Sequence, residues 1–136
     1  MIDSQPDWFK KALSVKKEQK IIEVEEGEIF YQHWGDKSKP GIVLVHGSGS
    51  HSHWWDFIAP QLLETFQVSA IDLSGMGESS HRGDYSPELY AKEILSVAED
   101  SGFFQVGKPI ICGHSMGGFM TATAVSYTHL TLPTNA

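Results

Sequence analysis

Short apolar runs of two kinds, alternating and continuous, recur along the chain, and each kind predicts a different strand environment. Apolar positions alternate with polar ones on both sides of Glu26-Gly27 in IIEVEEGEIFYQHWG, which predicts a β-hairpin turning there. The continuous apolar run at 42–45 is typical of a strand that is buried on both faces, and the mainly apolar segments 67–71 and 108–112 are interpreted as further buried strands. We therefore expect a hairpin followed by three buried strands.

The segments between these runs have apolar residues at helical spacing. SPELYAKEILSVAEDSG begins with a Ser-Pro cap, repeats apolar residues every three or four positions and stops at Gly102, which predicts a helix. The segment SHWWDFIAPQLLETF also has helical spacing, although Pro60 is expected to kink or divide its helix. Further helices are predicted behind a Ser4-Pro6 cap and over MGGFMTATAV. Alternating strands and helices predict an α/β fold with a mostly parallel sheet, an N-terminal β-hairpin and flanking helices.

Composition narrows the classes of partner. The 136 residues are 40% hydrophobic, as expected of one globular domain, and 17 acidic against 10 basic residues give a net charge of −7. This charge argues against nucleic-acid binding, which depends on lysine and arginine. No apolar run has the length of a signal peptide or membrane span, and the single Cys112 is expected to be a buried hydrophobe in a reducing compartment. We expect a cytoplasmic protein that needs no membrane and no cofactor; the oligomeric state stays open.

Three loops follow the predicted buried strands, where ligands collect in sheets of this type. The third loop, GHSMGG, fits Gly-x-Ser-x-Gly between a strand and a helix, which predicts that Ser115 is a nucleophile on a sharp turn. Gly113 and Gly117 must then be small to avoid collision, and the N–H of Met116 at the helix start becomes an oxyanion donor. The competing interpretation is an ordinary serine in a glycine-rich turn.

The first loop, HGSGSHSHWW, predicts the second oxyanion donor. It is the N–H of Ser48, which follows His46 and Gly47, and Gly47 lets that backbone approach the substrate. His46 and His114 are interpreted as residues that hold these loops by hydrogen bonds, because neither is expected to reach the Ser115 hydroxyl as a base.

Other interpretations of the same loops are weaker. His51 and His53, with His46 upstream and Asp56 downstream, form a poor metal site because a cysteine or a carboxylate pair is lacking nearby, so no metal is predicted. GMGESS lacks the Gly-Lys-Ser/Thr ending of a phosphate loop. Trp54 and Trp55 are candidates for substrate contact, but at least one is expected in the core.

Taken together, VHGSGS, DLSGMGESS and GHSMGG resemble, in order, the oxyanion loop, the Asp-x-x-Gly-x-Gly-x-Ser turn and the nucleophile elbow of serine-nucleophile α/β-hydrolases. DWFKKAL and HSHWWDFIAP are similar to bacterial esterase-like hydrolases. The resemblance covers residues 41 to about 125 and implies the N-terminal half of that fold. Haloalkane dehalogenases and epoxide hydrolases carry Asp at the serine position, so Ser115 implies chemistry on a small acyl substrate: esters, thioesters, lactones or diketones.

The resemblance also implies an acid and a histidine after the nucleophile. After Ser115 the sequence has no Asp or Glu, and its only histidine is His129. The ending SYTHLTLPTNA resembles translated adapter sequence, so we expect a partial domain at 1–125, truncated after the nucleophile helix, and a non-native tail at 126–136. The chain alone is expected to be inactive. Three functions stay open: a serine hydrolase of carboxylic esters, a non-catalytic ligand-binding protein on the same scaffold, and an acyltransferase using the same elbow.

Overall fold

Five strands form one open sheet in the computed structural model, which describes the backbone of residues 4–131 and the side chains of residues 4–126. The strands are β1 (Glu18–Val24), β2 (Gly27–Trp34), β3 (Gly41–Val45), β4 (Gln67–Ile71) and β5 (Ile110–Gly113), in the spatial order β1-β2-β4-β3-β5. β3 pairs in parallel with β4 and β5, whereas β2 pairs antiparallel with β1 and β4. The predicted α/β class, hairpin and parallel strands are confirmed, and the sheet is mixed.

The hairpin turns one residue earlier than predicted. Val24 lies opposite Gly27, so the two turn residues are Glu25 and Glu26, with φ of 47° and 65°. Two successive positive φ angles belong to the turn whose twist matches a hairpin, although glycine and asparagine are its usual residues. The Arg82 guanidinium donates to the carbonyl oxygens of Val24 (2.6 Å) and Glu25 (2.7 Å), and these bonds fix the turn.

Four α-helices flank the sheet within residues 4–131: α1 (Asp7–Ser14), α2 (Pro87–Asp100), α3 (Phe103–Val106) and α4 (Met116–Thr131). α2 matches its prediction, because the Ser86 hydroxyl accepts from the Leu89 N–H at 3.1 Å and Gly102 adopts a φ of 77° beyond its end. The predicted Ser4 cap of α1 is wrong, since Pro6 occupies the cap position without a side-chain bond.

The segment after β3 corrects a second prediction. It contains two 3₁₀ turns, Ser52–Trp55 and Ala59–Leu62, where a kinked or divided α-helix was expected. Pro60 lies in the first turn of the second element, and its ring excludes the α-helical bond to the carbonyl four residues earlier. The segment is thus divided, as predicted, but the break lies at residues 56–58, just before the element that contains Pro60, and both parts are 3₁₀ turns.

Apolar side chains fill both faces of the sheet. One cluster joins Val43, Val45 and Ile71 to α2 and α4, and the other joins Trp34, Leu44 and Val68 to the segment with the 3₁₀ turns. The sheet thus lies between two layers, and its central strands β3 and β4 are buried along their whole length.

β5 departs from the predicted buried strand. It pairs with β3 on one side only within the described chain, and its residues alternate between exposed and half-buried. Ile111 packs toward α2 and α4, whereas Ile110 and Cys112 lie on the opposite face and are exposed. The prediction of a buried Cys112 is wrong because it treats an edge strand as a central one.

α4 continues past the predicted end of the native chain. It runs to Thr131 and includes the backbone of the first six residues of the predicted tail, 126–131. Residues 132–136 lie outside the described part of the chain. The expectation that 126–136 is a non-native tail stays a prediction.

Candidate functional site

Ser115 lies on a sharp turn between the end of β5 at Gly113 and the start of α4 at Met116. Its φ of 57° is in the left-handed region, which costs a residue with a side chain about 1–2 kcal/mol. The Gly118 N–H donates to the Ser115 carbonyl at 2.9 Å, so the helix begins directly beneath the serine. The predicted position of Ser115, exposed on a strained strand-to-helix turn, matches the structure.

Glycines allow the surrounding backbone to come this close. A Cβ on Gly117 would overlap the carbonyl oxygens of Val45 and His46, and one on Gly113 would overlap the Gly117 carbonyl. A Cβ on Gly47 would lie 3.3 Å from the Ser115 Cβ. A side chain therefore does not fit at Gly113 or Gly117, whereas at Gly47 its neighbours would have to shift by a few tenths of an ångström.

The two predicted donors lie on these touching segments. Ser48 follows Gly47 in a turn closed by a 3.1 Å bond from the Ser50 N–H to the Gly47 carbonyl, and Met116 is the first residue of α4. Neither the Ser48 N–H nor the Met116 N–H has an acceptor among residues 4–131. A substrate oxygen beside Ser115 is the kind of acceptor that such donors bind.

A cavity of about 170 Å³ opens between the two loops. The structure brings four of the eight predicted site residues to its wall, Gly47, Ser48, His114 and Ser115, together with Ser50 and Trp54. Trp54 is the half-exposed member of the tryptophan pair, whereas Trp55 packs in the core.

His46 is fully buried beneath this cavity, and both of its ring nitrogens have partners. Nδ1 donates to the Gly47 carbonyl at 2.7 Å, and Nε2 accepts from the Leu73 N–H at 3.0 Å, which fixes the neutral tautomer. Burial lowers the pKa of His46, against smaller opposing effects of the Gly47 bond and the Asp72 charge. These bonds leave His46 no nitrogen for Ser115.

His114 is exposed at the cavity wall. Its ring stacks on the Trp54 indole with ring centroids 6.2 Å apart and an angle of 27° between the planes. Its backbone N–H donates to the Val45 carbonyl at 3.0 Å, which extends the β3–β5 pairing to the turn.

Sequence reasoning missed a buried carboxylate beneath these loops. Asp72 Oδ1 accepts from the Ser52 N–H (2.6 Å), and Oδ2 accepts from the Glu78 N–H (2.8 Å). Asp72 therefore joins the loop after β4 to the segment that follows the Ser48 loop. The signal available in the sequence was the position of Asp72 as the first residue of DLSGMGESS. A carboxylate that is buried at this position requires hydrogen-bond donors from the neighbouring loops.

The described side chains supply no base or acid to Ser115, whose hydroxyl has no hydrogen-bond partner among them. Asp100 instead accepts from the Tyr31 hydroxyl at 2.6 Å and pairs with Lys20 at 3.4 Å. His53 pairs with Asp56 at 2.8 Å. No group of three histidine, cysteine or carboxylate side chains within residues 4–126 is arranged to hold a metal.

Comparisons with known proteins agree with this geometry. The model of the Alpha/beta hydrolase family matches residues 42–133. A pimeloyl-[acyl-carrier protein] methyl ester esterase of Klebsiella pneumoniae is 34% identical over 88 residues, which cover 65% of this chain and 31% of that protein.

Two solved structures show the same fold with related sequences. The thioesterase domain from the curacin biosynthetic pathway superposes with a TM-score of 0.73 and 27% identity, covering 83% of this chain and 41% of that one. A 2-hydroxy-6-oxo-6-phenylhexa-2,4-dienoate hydrolase from Rhodococcus superposes with a TM-score of 0.72 and 30% identity, covering 85% and 43%.

The chain spans about a quarter to a third of the curated relatives it matches. Across residues 4–131, no helix has both the length and the apolar character needed to cross a membrane.

Proposed function

Because the chain belongs to the alpha/beta hydrolase family, we propose that it carries the nucleophile and the oxyanion donors of a serine hydrolase acting on carboxylic esters. One observation carries this proposal: Ser115 stands at a φ of 57° between β5 and α4, at the wall of a cavity that it shares with Ser48. A strained, exposed serine at a helix start is a costly arrangement in a purely structural turn.

In the proposed reaction, Ser115 Oγ attacks the ester carbonyl carbon and forms a C–O bond while its proton passes to an imidazole base. The carbonyl oxygen becomes an oxyanion that accepts from the Ser48 and Met116 N–H groups. The bond to the alkoxy group then breaks, and the alcohol leaves with the proton. Water, deprotonated by the same base, attacks the acyl-enzyme, releases the carboxylic acid and restores the Ser115 hydroxyl.

We place the base and its orienting carboxylate outside residues 4–126, whose side chains the structure describes. Supporting this, the buried His46 is engaged on both nitrogens, and the matched relatives are about three to four times longer than the aligned segment. A small acyl compound as substrate agrees with the small cavity, and hydrolysis of an acyl ester agrees with the names of the esterase and thioesterase relatives.

Covalent labelling tests the proposal in the full-length protein that contains this chain. A fluorophosphonate should modify Ser115, and Ser115→Ala should abolish both labelling and ester turnover, with a loss of at least about 10³-fold. Ser50→Ala, a hydroxyl at the same cavity wall, is the matched control and should keep both. A folded protein without labelling would contradict the catalytic role and favour a non-catalytic ligand-binding protein. Ester products in place of acid, formed with an added alcohol, would indicate an acyltransferase.

A further inference from the structure

Two adjacent tryptophans have opposite environments beside the candidate nucleophile. Trp55 is 7% exposed and packs against the sheet, whereas Trp54 is 50% exposed and faces the cavity. Leaving a large apolar ring half in water is unfavourable by about 25 cal/mol for each Å² of apolar surface. Its exposure at the cavity wall points to a role in ligand contact.

The backbone under Trp54 is held on both sides. The Trp54 N–H donates to the His51 carbonyl at 3.2 Å, and two residues earlier the Ser52 N–H donates to the buried Asp72 carboxylate at 2.6 Å. Buried Trp55 anchors the following residue. The indole therefore projects from a fixed segment of the chain.

The ring plane is also fixed relative to Ser115. The Trp54 indole stacks on the His114 ring at 6.2 Å and 27°, and His114 is the residue directly before the serine. The remaining wall residues, Gly47, Ser48 and Ser50, are small. A flat indole is thus the one extended apolar surface among the residues that line this cavity.

We infer that Trp54 is a specificity-determining residue that favours substrates with a planar aromatic or conjugated group next to the reacting carbonyl. This inference rests on the proposed function, because it assumes that the carbonyl binds beside Ser115. A planar group stacks on the indole in an offset geometry and gains contact across its whole face, whereas a puckered ring of the same carbon count gains only part of it.

Matched esters in the full-length protein test this selectivity. Phenyl acetate against cyclohexyl acetate probes the alcohol side, and methyl benzoate against methyl cyclohexanecarboxylate probes the acyl side. In at least one pair, Trp54→Leu should lower the planar-to-puckered ratio of kcat/KM by roughly three- to tenfold. Intrinsic differences in ester reactivity cancel, because the measured quantity is the change in the ratio between protein variants.

Two control variants separate selectivity from general damage. Trp54→Phe keeps a planar ring and should retain most of the ratio. Trp8→Leu removes another half-exposed tryptophan, on α1, and should leave the ratio unchanged. An unchanged ratio in both pairs for Trp54→Leu, in a protein whose Ser115 is still labelled by fluorophosphonate, would overturn the inference alone. If fluorophosphonate does not label the unsubstituted protein, the proposed function would be overturned instead.

Discussion

Gly117 and Gly118 are neighbours in the first turn of α4, yet only one of them is needed sterically. A Cβ on Gly117 would overlap two carbonyl oxygens at the end of β3, whereas one on Gly118 would meet the Gly113 oxygen at 3.4 Å, an ordinary contact. We expect Gly117→Ala to lower the free energy of unfolding by about 1–3 kcal/mol or more. Gly118→Ala should be neutral or stabilising by up to about 1 kcal/mol. Urea denaturation of the full-length protein measures both, and equal effects would contradict the packing described here.

His46 makes folding stability depend on pH. Burial lowers its pKa below the ordinary 6.5, so the unfolded chain takes up a proton on this histidine at a higher pH than the folded chain does. The contribution of neutral His46 to the free energy of unfolding should therefore be fully present above pH 6.5. As the pH is lowered from 6.5, this contribution should decrease by at most about 1.4 kcal/mol per pH unit. Burial lowers the pKa of His33 too, so both histidines act in the same direction.

Denaturation of the full-length protein between pH 7.5 and 5 measures this slope. His46→Gln should reduce the slope, and adding His33→Gln should reduce it further. His81→Gln, which removes an exposed histidine, is the control and should leave the slope unchanged. A slope that is the same in all variants would contradict the buried neutral state of His46.

At the scale of elements, two cations attach the hairpin to α2 in different ways. Arg82 is largely buried, pairs with the fully buried Glu93 at 3.0 Å and donates to two carbonyls at the hairpin turn. Lys92 pairs with Glu25 at the surface, at 2.7 Å. Removing one partner of a buried pair leaves an uncompensated charge, whereas an exposed pair is screened by water and salt.

We therefore expect Arg82→Ala to lower the free energy of unfolding by about 3–5 kcal/mol and Lys92→Ala to lower it by less than about 1 kcal/mol. Chemical denaturation of the two variants in the full-length protein checks this. The double variant Arg82→Ala/Glu93→Gln should recover part of the loss, since the remaining buried side chain is then neutral. Similar losses for Arg82→Ala and Lys92→Ala would show that burial does not distinguish the pairs.

Features that depend on neighbouring residues in the sequence were predicted better than features that depend on contacts between distant parts of the chain. The cap at Ser86 and the alternation around the hairpin are local signals: the cap was predicted correctly, and the hairpin was predicted with its turn one residue too late. The exposure of Cys112 depends on strand order, and the burial of Glu93 depends on Arg82, eleven residues away. Neither follows from local periodicity.

The same distinction applies to the site. The position of Ser115 on its turn was predictable because glycine spacing and strand-to-helix order encode it locally. The bridging carboxylate of Asp72 and the stacking of Trp54 on His114 were not, because each joins segments at least twenty residues apart.

At the scale of the whole molecule, apolar side chains remain exposed along β5 and α4. Phe119 is 61% exposed, and Ile110 and Val125 are about half exposed. One edge of β5 has no partner strand within residues 4–131. Such a surface and an open edge favour association.

We expect the 136-residue chain expressed alone to self-associate and to lack a cooperative unfolding transition. Size-exclusion chromatography and thermal unfolding measure these properties. Replacing Ile110, Phe119 and Val125 together by lysine should shift the elution toward a monomer. A monomeric chain with cooperative unfolding and ester turnover would contradict the expectation.

The two hydrogen bonds that Asp72 accepts also couple the local opening of two loops. One carboxylate holds the amide hydrogens of Ser52 and Glu78, which belong to the loops after two neighbouring strands. Breaking either bond leaves a buried charge with one donor fewer, so the two loops should open together. In hydrogen–deuterium exchange, these two amides should report the same opening free energy, and Asp72→Asn should speed both. The loops after β3 and β4 then open as one cooperative unit.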